Sequence, residues 1–590
     1  MTLCTYDKVK SMDGIASEKV ENDSKSSFHL VARHPFNVKP SGNALLEAKD
    51  DHKSNQFTMH QCMGQFSLLP HELILSIFAF LTPQDWTRIE QTSSVMRSFA
   101  AHEPLWKDAL INLTSGHLRS WRGNWKSTLA YHLSPKRKRS EESIEGHHKK
   151  ESIQKSSGQT PIYSDTLYLP IQLASLPLSR YAPNEKGKDA FKRIKRIRDI
   201  SKADFLDQFA KPSIPCLLTV NNPDKDLPKW KIEDILQLYS HRRIRAEALS
   251  MSINTYSDYA RTCEAWDHRR SDWIPDESPF YLFDPTLARK LQNDGLFVVP
   301  KLFRIEQHNE KGIMDPEWDL FSLLHDRRPD HAWIIAGPKR SGSGWHVDPN
   351  YTSAYNTVLS GSKLWMLLPP NVTPPGIFIS HDGGTVTAPL SIAEWLTDFW
   401  KPCTKKHGSG PGGDNTLIVD VCGPGETIYV PAGWKHLVIN LEESVAFTQN
   451  FVSPAELPAV LDFLKNRPDQ ISGFRLRKSE LDKKEKEIDE ISDPELDELP
   501  NNGLEEKQKI FDLFINRLSS FDQKLCQMGL EGMRKLEEGR GRKKTESAST
   551  IDNWWQTLKA SQSNSEEKSQ SLSSTPMFAI NEADLGELPW

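Results

Sequence analysis

SGSGWHVDPNYTSAYNTVLSGSKLWMLLPP, running from Ser341 to Pro370, holds the residues on which the reading of the fold turns. His346 and Asp348 stand two apart, and on an extended chain side chains at i and i+2 share a face, so one ion can meet both. Beyond them two runs with strand character, 353–360 and 363–368, flank Gly361-Ser362, a glycine-first pair that signals a type II′ hairpin. Pairing of Ser360 with Lys363 would place Asn356, Val358, Ser360, Lys363, Trp365 and Leu367 on one face. A lysine facing the inside of a barrel is costly unless an anion meets it.

A third metal ligand must come from another strand, and GETIYVPAGWKHLVINL (Gly425–Leu441) supplies His436. Two imidazoles and one carboxylate form the facial triad of non-haem Fe(II) oxygenases, which leaves open positions for a cosubstrate and O2, whereas zinc sites are closed or keep one position open. A dicarboxylate bound to that iron at one end would present its far carboxylate to Lys363, and the hydroxyl of Thr448 on the segment 445–451 could add a donor. A His and an Asp two apart is a weak signal by itself. Its weight comes from His436 and Lys363 in the same span.

Working outward, short runs with strand character cover 215–220, 331–337, 353–360, 363–368, 416–421, 427–430, 435–440 and 445–451, separated by Gly and Pro turns. Many short strands of this kind predict a sandwich or barrel. A helical pattern over 388–400 interrupts them and leads into the Gly-rich HGSGPGGDN. Trp345, Tyr351 and Trp434 flank the candidate ligands, either lining a substrate mouth or packing in the core.

The whole chain has 590 residues, too many for one hydrophobic core, with 37% hydrophobic and 26% charged residues and 38 prolines, so ordered and unstructured stretches should alternate. A net charge of -5 gives no indication of nucleic-acid binding, and no apolar run reaches membrane-spanning length. The seven cysteines form no C-x-x-C pair, and the N-terminal segment lacks the apolar core of a signal peptide. These features predict a soluble intracellular protein with reduced thiols. The expected organisation is a disordered leader (1–64), a helical unit (65–133), a basic disordered linker (134–160), the strand-rich domain (163–465), a charged helical region (466–538) and a disordered tail (539–590). PKRKR at 135–139 within the linker is a candidate nuclear import signal, giving a nuclear and also cytoplasmic localisation as the expectation. Phe511, Phe514, Leu518, Phe521, Leu525 and Met528 follow a 3-4-3-4-3 spacing, an apolar seam that must face either the strand-rich domain or a second copy in a homodimer.

The helical unit opens with FSLLPHELILSIFAFLTPQDW, in which Leu73, Ile74, Ile77, Phe78 and Leu81 mark one face of a helix and Thr82-Pro83 a cap and restart. With Leu69, Pro70, Glu72, Asp85, Trp86, Arg88, Leu105 and Trp106 the unit resembles the F-box, with Trp86 where that family usually has an aliphatic residue. The resemblance implies docking on the Skp adaptor of cullin-based ubiquitin ligases. The alternative is a helical hairpin that packs on the chain's own larger domain.

The span from about Lys211 to Ser453 resembles the JmjC 2-oxoglutarate oxygenases, most of all the bifunctional arginine demethylase and lysyl-hydroxylase subgroup. The resemblance is carried by SPFYLFD (278–284), GPKRSGSGWHVDP (337–349), TSAYNTVLSGSKLWMLLPP (352–370), PGETIYVPAGWKHLVINL (424–441) and AFTQNF (446–451). It implies a mainly β fold, a double-stranded β-helix or cupin-like barrel with surrounding helices, beside a small all-α F-box. It further implies Fe(II) at His346, Asp348 and His436, and 2-oxoglutarate contacts from Lys363, Asn356, Thr448 and Tyr281. Ser343 stands where the family has Thr. The implied activity is Fe(II)- and 2-oxoglutarate-dependent hydroxylation of a protein or peptide side chain, on lysine or on an N-methyl group that is thereby removed, as in a chromatin regulator. The competing function is that of an F-box substrate receptor of a ubiquitin ligase, with the barrel used for binding alone.

Overall fold

The computed structural model describes residues 63–133, 164–184, 189–219, 227–239, 242–265, 276–304, 314–380, 383–474 and 503–540. The expected leader, the basic run at 135–139 and the tail lie almost wholly outside the described residues. The N-terminal helices are α1 (His71–Ala79), α2 (Pro83–Ile89), α3 (Ser94–Ala100), α4 (Glu103–Thr114) and α5 (Trp125–Leu133). Thr82 and Asp85 close a capping box around Pro83 at the start of α2, and Ser93 caps α3 through the Met96 amide. The apolar stripe of α1 splits. Ile74 and Phe78 are buried, while Leu73 and Ile77 face outward with Phe66, Leu68 and Phe80. Trp86 is an internal anchor: its indole donates to the Phe78 carbonyl at 2.8 Å and packs edge-on against Trp106.

Sixteen strands are described: β1 (His117–Leu118), β2 (Lys195–Ile197), β3 (Cys216–Thr219), β4 (Arg243–Ala246), β5 (Leu249–Ser252), β6 (Leu282–Asp284), β7 (Ala332–Gly337), β8 (Gly342–His346), β9 (Ser353–Ser360), β10 (Lys363–Leu368), β11 (Phe378–Ile379), β12 (Val386–Thr387), β13 (Ile418–Cys422), β14 (Glu426–Val430), β15 (Lys435–Asn440) and β16 (Ser444–Phe451). They form a ten-stranded sheet in the order β1-β5-β4-β6-β7-β16-β9-β14-β3-β2, a four-stranded sheet β13-β10-β15-β8, and the hairpin β11-β12. Alternation decides what each sheet presents to the other. On β10, Leu364, Met366 and Leu368 pack outward on the helices α7 (Ile392–Asp398) and α8 (Trp400–His407), while Trp365 and Leu367 pack inward on Val358 of β9 and Ile428 and Val430 of β14. The result is the two-sheet barrel expected of the JmjC fold.

The hairpin expectation fails. Gly361 does adopt φ +74°, but β9 pairs with β14 and β16 and β10 with β13 and β15, so the turn carries the chain from one sheet to the other. Asn356 and Lys363 both face the interior because their sheets face each other, not because their strands are paired. The strands β1, β2, β4, β5, β6, β8, β11 and β12 were not anticipated. They are short or polar, and β8 (GSGWH) reads as a loop by composition because its two glycines lower strand propensity.

The seam at 511–528 is used by the chain itself. The helix α10 (Gly503–Phe521) and a following helix over 523–540 bury Ile510, Phe514, Leu518, Cys526 and Met533 against Leu320, Phe321 and Leu324 and against Val460 and Leu461 of α9 (Leu457–Asn466). The chain breaks at Asp522 and the buried face shifts, leaving Phe521 and Met528 outside. The apolar face that a homodimer through this helix would need is therefore already covered. No helix among the described residues is long and apolar enough to cross a membrane.

Candidate active site

His346 ends β8 and His436 lies directly opposite it on β15, which brings the two imidazole centroids to 4.1 Å. Asp348 follows two residues on, and one ligand atom from each of the three residues lies within 4.8 Å of the others. Each ring is oriented by the carbonyl two residues before it: His346 Nδ1 meets the Gly344 carbonyl at 2.7 Å and His436 Nδ1 the Trp434 carbonyl at 3.1 Å. This fixes the tautomer and leaves Nε2 of both rings to a metal. Asn450 on β16 donates to Asp348 Oδ1 at 3.2 Å, and Trp365 stacks on His436. Burial pushes the Asp348 carboxyl up and, with the charge of His346, holds His436 well below the ordinary imidazole range. A divalent cation reverses both preferences.

Lys363 is the most deeply buried cation of the barrel interior, fully shielded from solvent. Its ammonium donates to the Tyr281 hydroxyl at 2.6 Å and to Asn440 Oδ1 at 2.9 Å, and burial lowers its pKa to about 7. Asn440 is held in turn by the Gly337 carbonyl and Ser341 Oγ. Since Leu367 of β10 stands opposite His436, Lys363 lies four residues, about 13 Å, further along that strand. A lysine side chain and a five-carbon dicarboxylate can together span this gap. Two polar atoms facing the same interior, Asn356 Oδ1 and Trp365 Nε1, are buried without a hydrogen-bond partner. A buried ammonium with no carboxylate beside it among the described residues and an indole N–H without an acceptor fit a small bound anion, and the Asn356 amide can turn its NH2 toward one.

Of the residues expected to contact such an anion, Lys363, Tyr281 and Asn356 are gathered in the interior, with Thr448 opposite Asn356 on β16 and Ser343 opposite Val438 on β15. The Thr448 hydroxyl donates to the Tyr355 carbonyl at 2.8 Å, so its proton is engaged with backbone. Asn440, Asn450 and Trp365 had no assigned role. Period-two alternation from His436, Thr448 and Lys363 puts all three on the same inner face, which is the signal that could have found them. Trp345, Tyr351 and Trp434 pack in the core: Trp345 edge-on to Trp395, Tyr351 beside the C-terminal helices, and Trp434 with its indole donating to the Ser213 carbonyl.

A two-sheet barrel with two histidines and an aspartate at one end and a buried lysine further in defines an iron- and 2-oxoglutarate-dependent oxygenase of the JmjC class. The chain belongs to that family. Residues 333–451 match the family described as JmjC domain, hydroxylase, and residues 66–112 match the F-box-like family. The chain is 34% identical over 450 residues to arginine-specific demethylase JMJ22 of Arabidopsis thaliana, covering 76% of this chain and 80% of that protein. It is 31% identical over 299 residues to the bifunctional arginine demethylase and lysyl-hydroxylase psr-1 of Caenorhabditis elegans, covering 48% of this chain and 66% of that protein. A match of 24% over 289 residues joins it to the 2-oxoglutarate and iron-dependent oxygenase JMJD4 of Mus musculus, covering 45% of this chain and 61% of that protein. The enzyme is a dioxygenase whose cofactor and cosubstrates are Fe(II), 2-oxoglutarate and O2.

Proposed function

We propose that His346, Asp348 and His436 hold the Fe(II), and that Lys363 and Tyr281 hold the far carboxylate of 2-oxoglutarate, with Asn356 and Ser343 beside it and Thr448 joining once its hydroxyl turns from the Tyr355 carbonyl. The observation that carries this reading is Lys363, fully buried and meeting, among the described residues, the neutral Tyr281 hydroxyl and Asn440 amide but no carboxylate. Iron held there would supply oxidation of an unactivated C–H bond by O2, with two of the four electrons that O2 takes up coming from 2-oxoglutarate and two from the C–H bond. The chain's own residues do the rest. Asn450 and the Gly344 and Trp434 carbonyls orient the metal donors, Lys363 and Asn440 fix the cosubstrate's tail, and the inner apolar wall of Val358, Trp365, Leu367 and Ile428 excludes water.

The substrate proposed is a basic side chain of a protein, lysine to be hydroxylated or N-methylated arginine to be demethylated, as the names of the plant and nematode relatives suggest. Incubation with iron, 2-oxoglutarate and methylated or unmodified basic peptides tests it by mass spectrometry. Gain of one oxygen or loss of one methyl, absent in His346→Ala, is expected; 2-oxoglutarate consumption that no basic peptide stimulates would argue for another substrate class.

The outward apolar residues of the F-box-like unit, Phe66, Leu68, Leu73, Ile77 and Phe80, support Skp-adaptor recruitment and hence a ubiquitin-ligase role. Leu73→Asp with Ile77→Asp should abolish adaptor capture and leave peptide oxidation intact. Equal capture by this variant removes the adaptor reading. Nuclear localisation and action on chromatin rest on the run at 135–139 and are tested by imaging a chain in which its lysines and arginines are replaced by Gln.

A further inference from the structure

The N-terminal helical unit (65–133), which extends beyond the F-box-like match, packs against the segment that leads into Tyr281. Its strand β1 extends the large sheet by pairing with β5, and Trp121 and Trp125 pack edge-on into Tyr259 and Phe280. The polar centre of this contact is Asp276. Its carboxylate accepts from Lys107 of α4 at 3.0 Å, from the Trp125 indole of α5 at 3.2 Å and from the Tyr259 hydroxyl at 2.7 Å. The Lys107 ammonium also sits 4.3 Å from the centre of the Phe280 ring. From there the connections run along the backbone toward the site. Tyr259 is on the helix α6 (Ile253–Glu264), and its hydroxyl oxygen accepts the Phe280 amide at 3.0 Å. The next two amides are also held by side chains, Tyr281 by Glu247 at 3.1 Å and Leu282 by the Tyr256 hydroxyl at 3.2 Å. Tyr281 is the residue whose hydroxyl meets Lys363.

We infer that Lys107 and Trp125, both in the N-terminal helical unit, are positioning residues of the oxygenase: by clamping Asp276 and Phe280 they set Tyr281 against Lys363 and so tune 2-oxoglutarate binding. This rests on the assignment of Lys363 to the cosubstrate's far carboxylate. Tyr281 has no helix or long strand to hold it, since β6 begins at the next residue and has three residues in all. Three consecutive amides fixed by side chains replace that support, and one of the three, through Tyr259 and Asp276, depends on Lys107 and Trp125 of the N-terminal helical unit. The unit's outward face with Leu73 and Phe80 belongs to α1 and its C-terminal neighbour, so the same domain can offer one surface to a partner and use another as active-site scaffold.

The test is calorimetric titration of 2-oxoglutarate into the full-length protein loaded with Mn(II) in place of iron, with amide exchange across residues 280–282 as a second readout. Stoichiometry reports the folded fraction and Kd the pocket. Lys107→Met and Trp125→Phe should each raise the Kd for 2-oxoglutarate about fivefold or more. Mn(II) affinity should stay as in wild type, exchange at Tyr281 should accelerate, and Lys107→Arg should restore both. In a Tyr281→Phe background Lys107→Met should cause no further loss, because its effect passes through Tyr281. Gln84→Ala, on the exposed surface of the same unit, should behave as wild type. Unchanged Kd in both variants, or fully additive losses with Tyr281→Phe, would overturn the inference. Binding of 2-oxoglutarate by Lys363→Ala as tight as by wild type would instead sink the cosubstrate assignment, and the exchange rates would still decide whether Lys107 holds the segment.

Discussion

At the residue scale the account turns on Lys363. With the Lys363 pKa at about 7, a bound dianion either finds the ammonium already formed or draws a proton from solvent to form it. Below pH 7 the proton is present; above it, each binding event takes one up, so the Kd for 2-oxoglutarate should rise about tenfold per pH unit. A Kd that stays flat between about pH 7 and 9 would contradict this. Linkage carries the opposite sign for the unliganded fold. The folded value lies below the ordinary 10.5, so stability without cosubstrate should increase as pH climbs from 7 toward that value. Asn440, which shares the ammonium with Tyr281, should matter comparably: Asn440→Ala is expected to weaken 2-oxoglutarate by about tenfold while leaving metal affinity alone, as equilibrium binding would show. His346 and Asp348 stood out by their offset of two and His436 as a third donor on another strand, whereas Lys363 was placed inside through a hairpin that the structure does not form. Asn440 and Asn450 were not singled out, because an asparagine near a strand end is an ordinary turn residue until the facing sheet is known.

At the element scale the decisive feature is the crossing at Gly361. Two runs with strand character joined by Gly-Ser read as a hairpin, and local sequence contains nothing that separates a hairpin turn from a step between sheets. The partners that decide it, β14, β16, β13 and β15, arrive later in the chain. The step needs glycine for two reasons. Its φ is +74°, and a Cβ there would stand 2.1 Å from the Glu443 carbonyl oxygen and 2.7 Å from Ser444 Cα. Gly361→Ala should therefore cost on the order of 2 kcal/mol or more, read by urea unfolding. An Ala variant as stable as wild type would show that the turn is not held in this conformation. The C-terminal helices make the converse point. Their seam was legible as apolar periodicity, but its partner was not, since α9 and residues 320–324 lie far away in sequence. Phe514→Ala should destabilise by roughly 3–5 kcal/mol without altering the oligomeric state in sedimentation, because the ring packs on Phe321 of the same chain.

At the scale of the whole molecule, the N-terminal helical unit packs on the chain's own strand-rich domain, one of the two alternatives that its size left open. Both modules are present, but the contact through Asp276, Lys107 and Trp125 joins residues more than 150 positions apart, and no local pattern announces it. A chain lacking residues 1–133 is accordingly expected to aggregate or to lose 2-oxoglutarate binding, since it uncovers Tyr259, Phe280 and the edge of β5; a truncated chain that turns over like the full one would show the modules to be independent. The central claim, that three side chains from two strands and the following turn hold a metal which a dicarboxylate then joins with its tail on Lys363, is tested most directly by anaerobic titration of the full-length protein with Fe(II) and then with 2-oxoglutarate. One equivalent of each should bind, the second only after the first, with Asp348→Ala losing both and Lys363→Ala losing the second alone. Uptake of 2-oxoglutarate that needs neither the metal nor Asp348 would contradict the account.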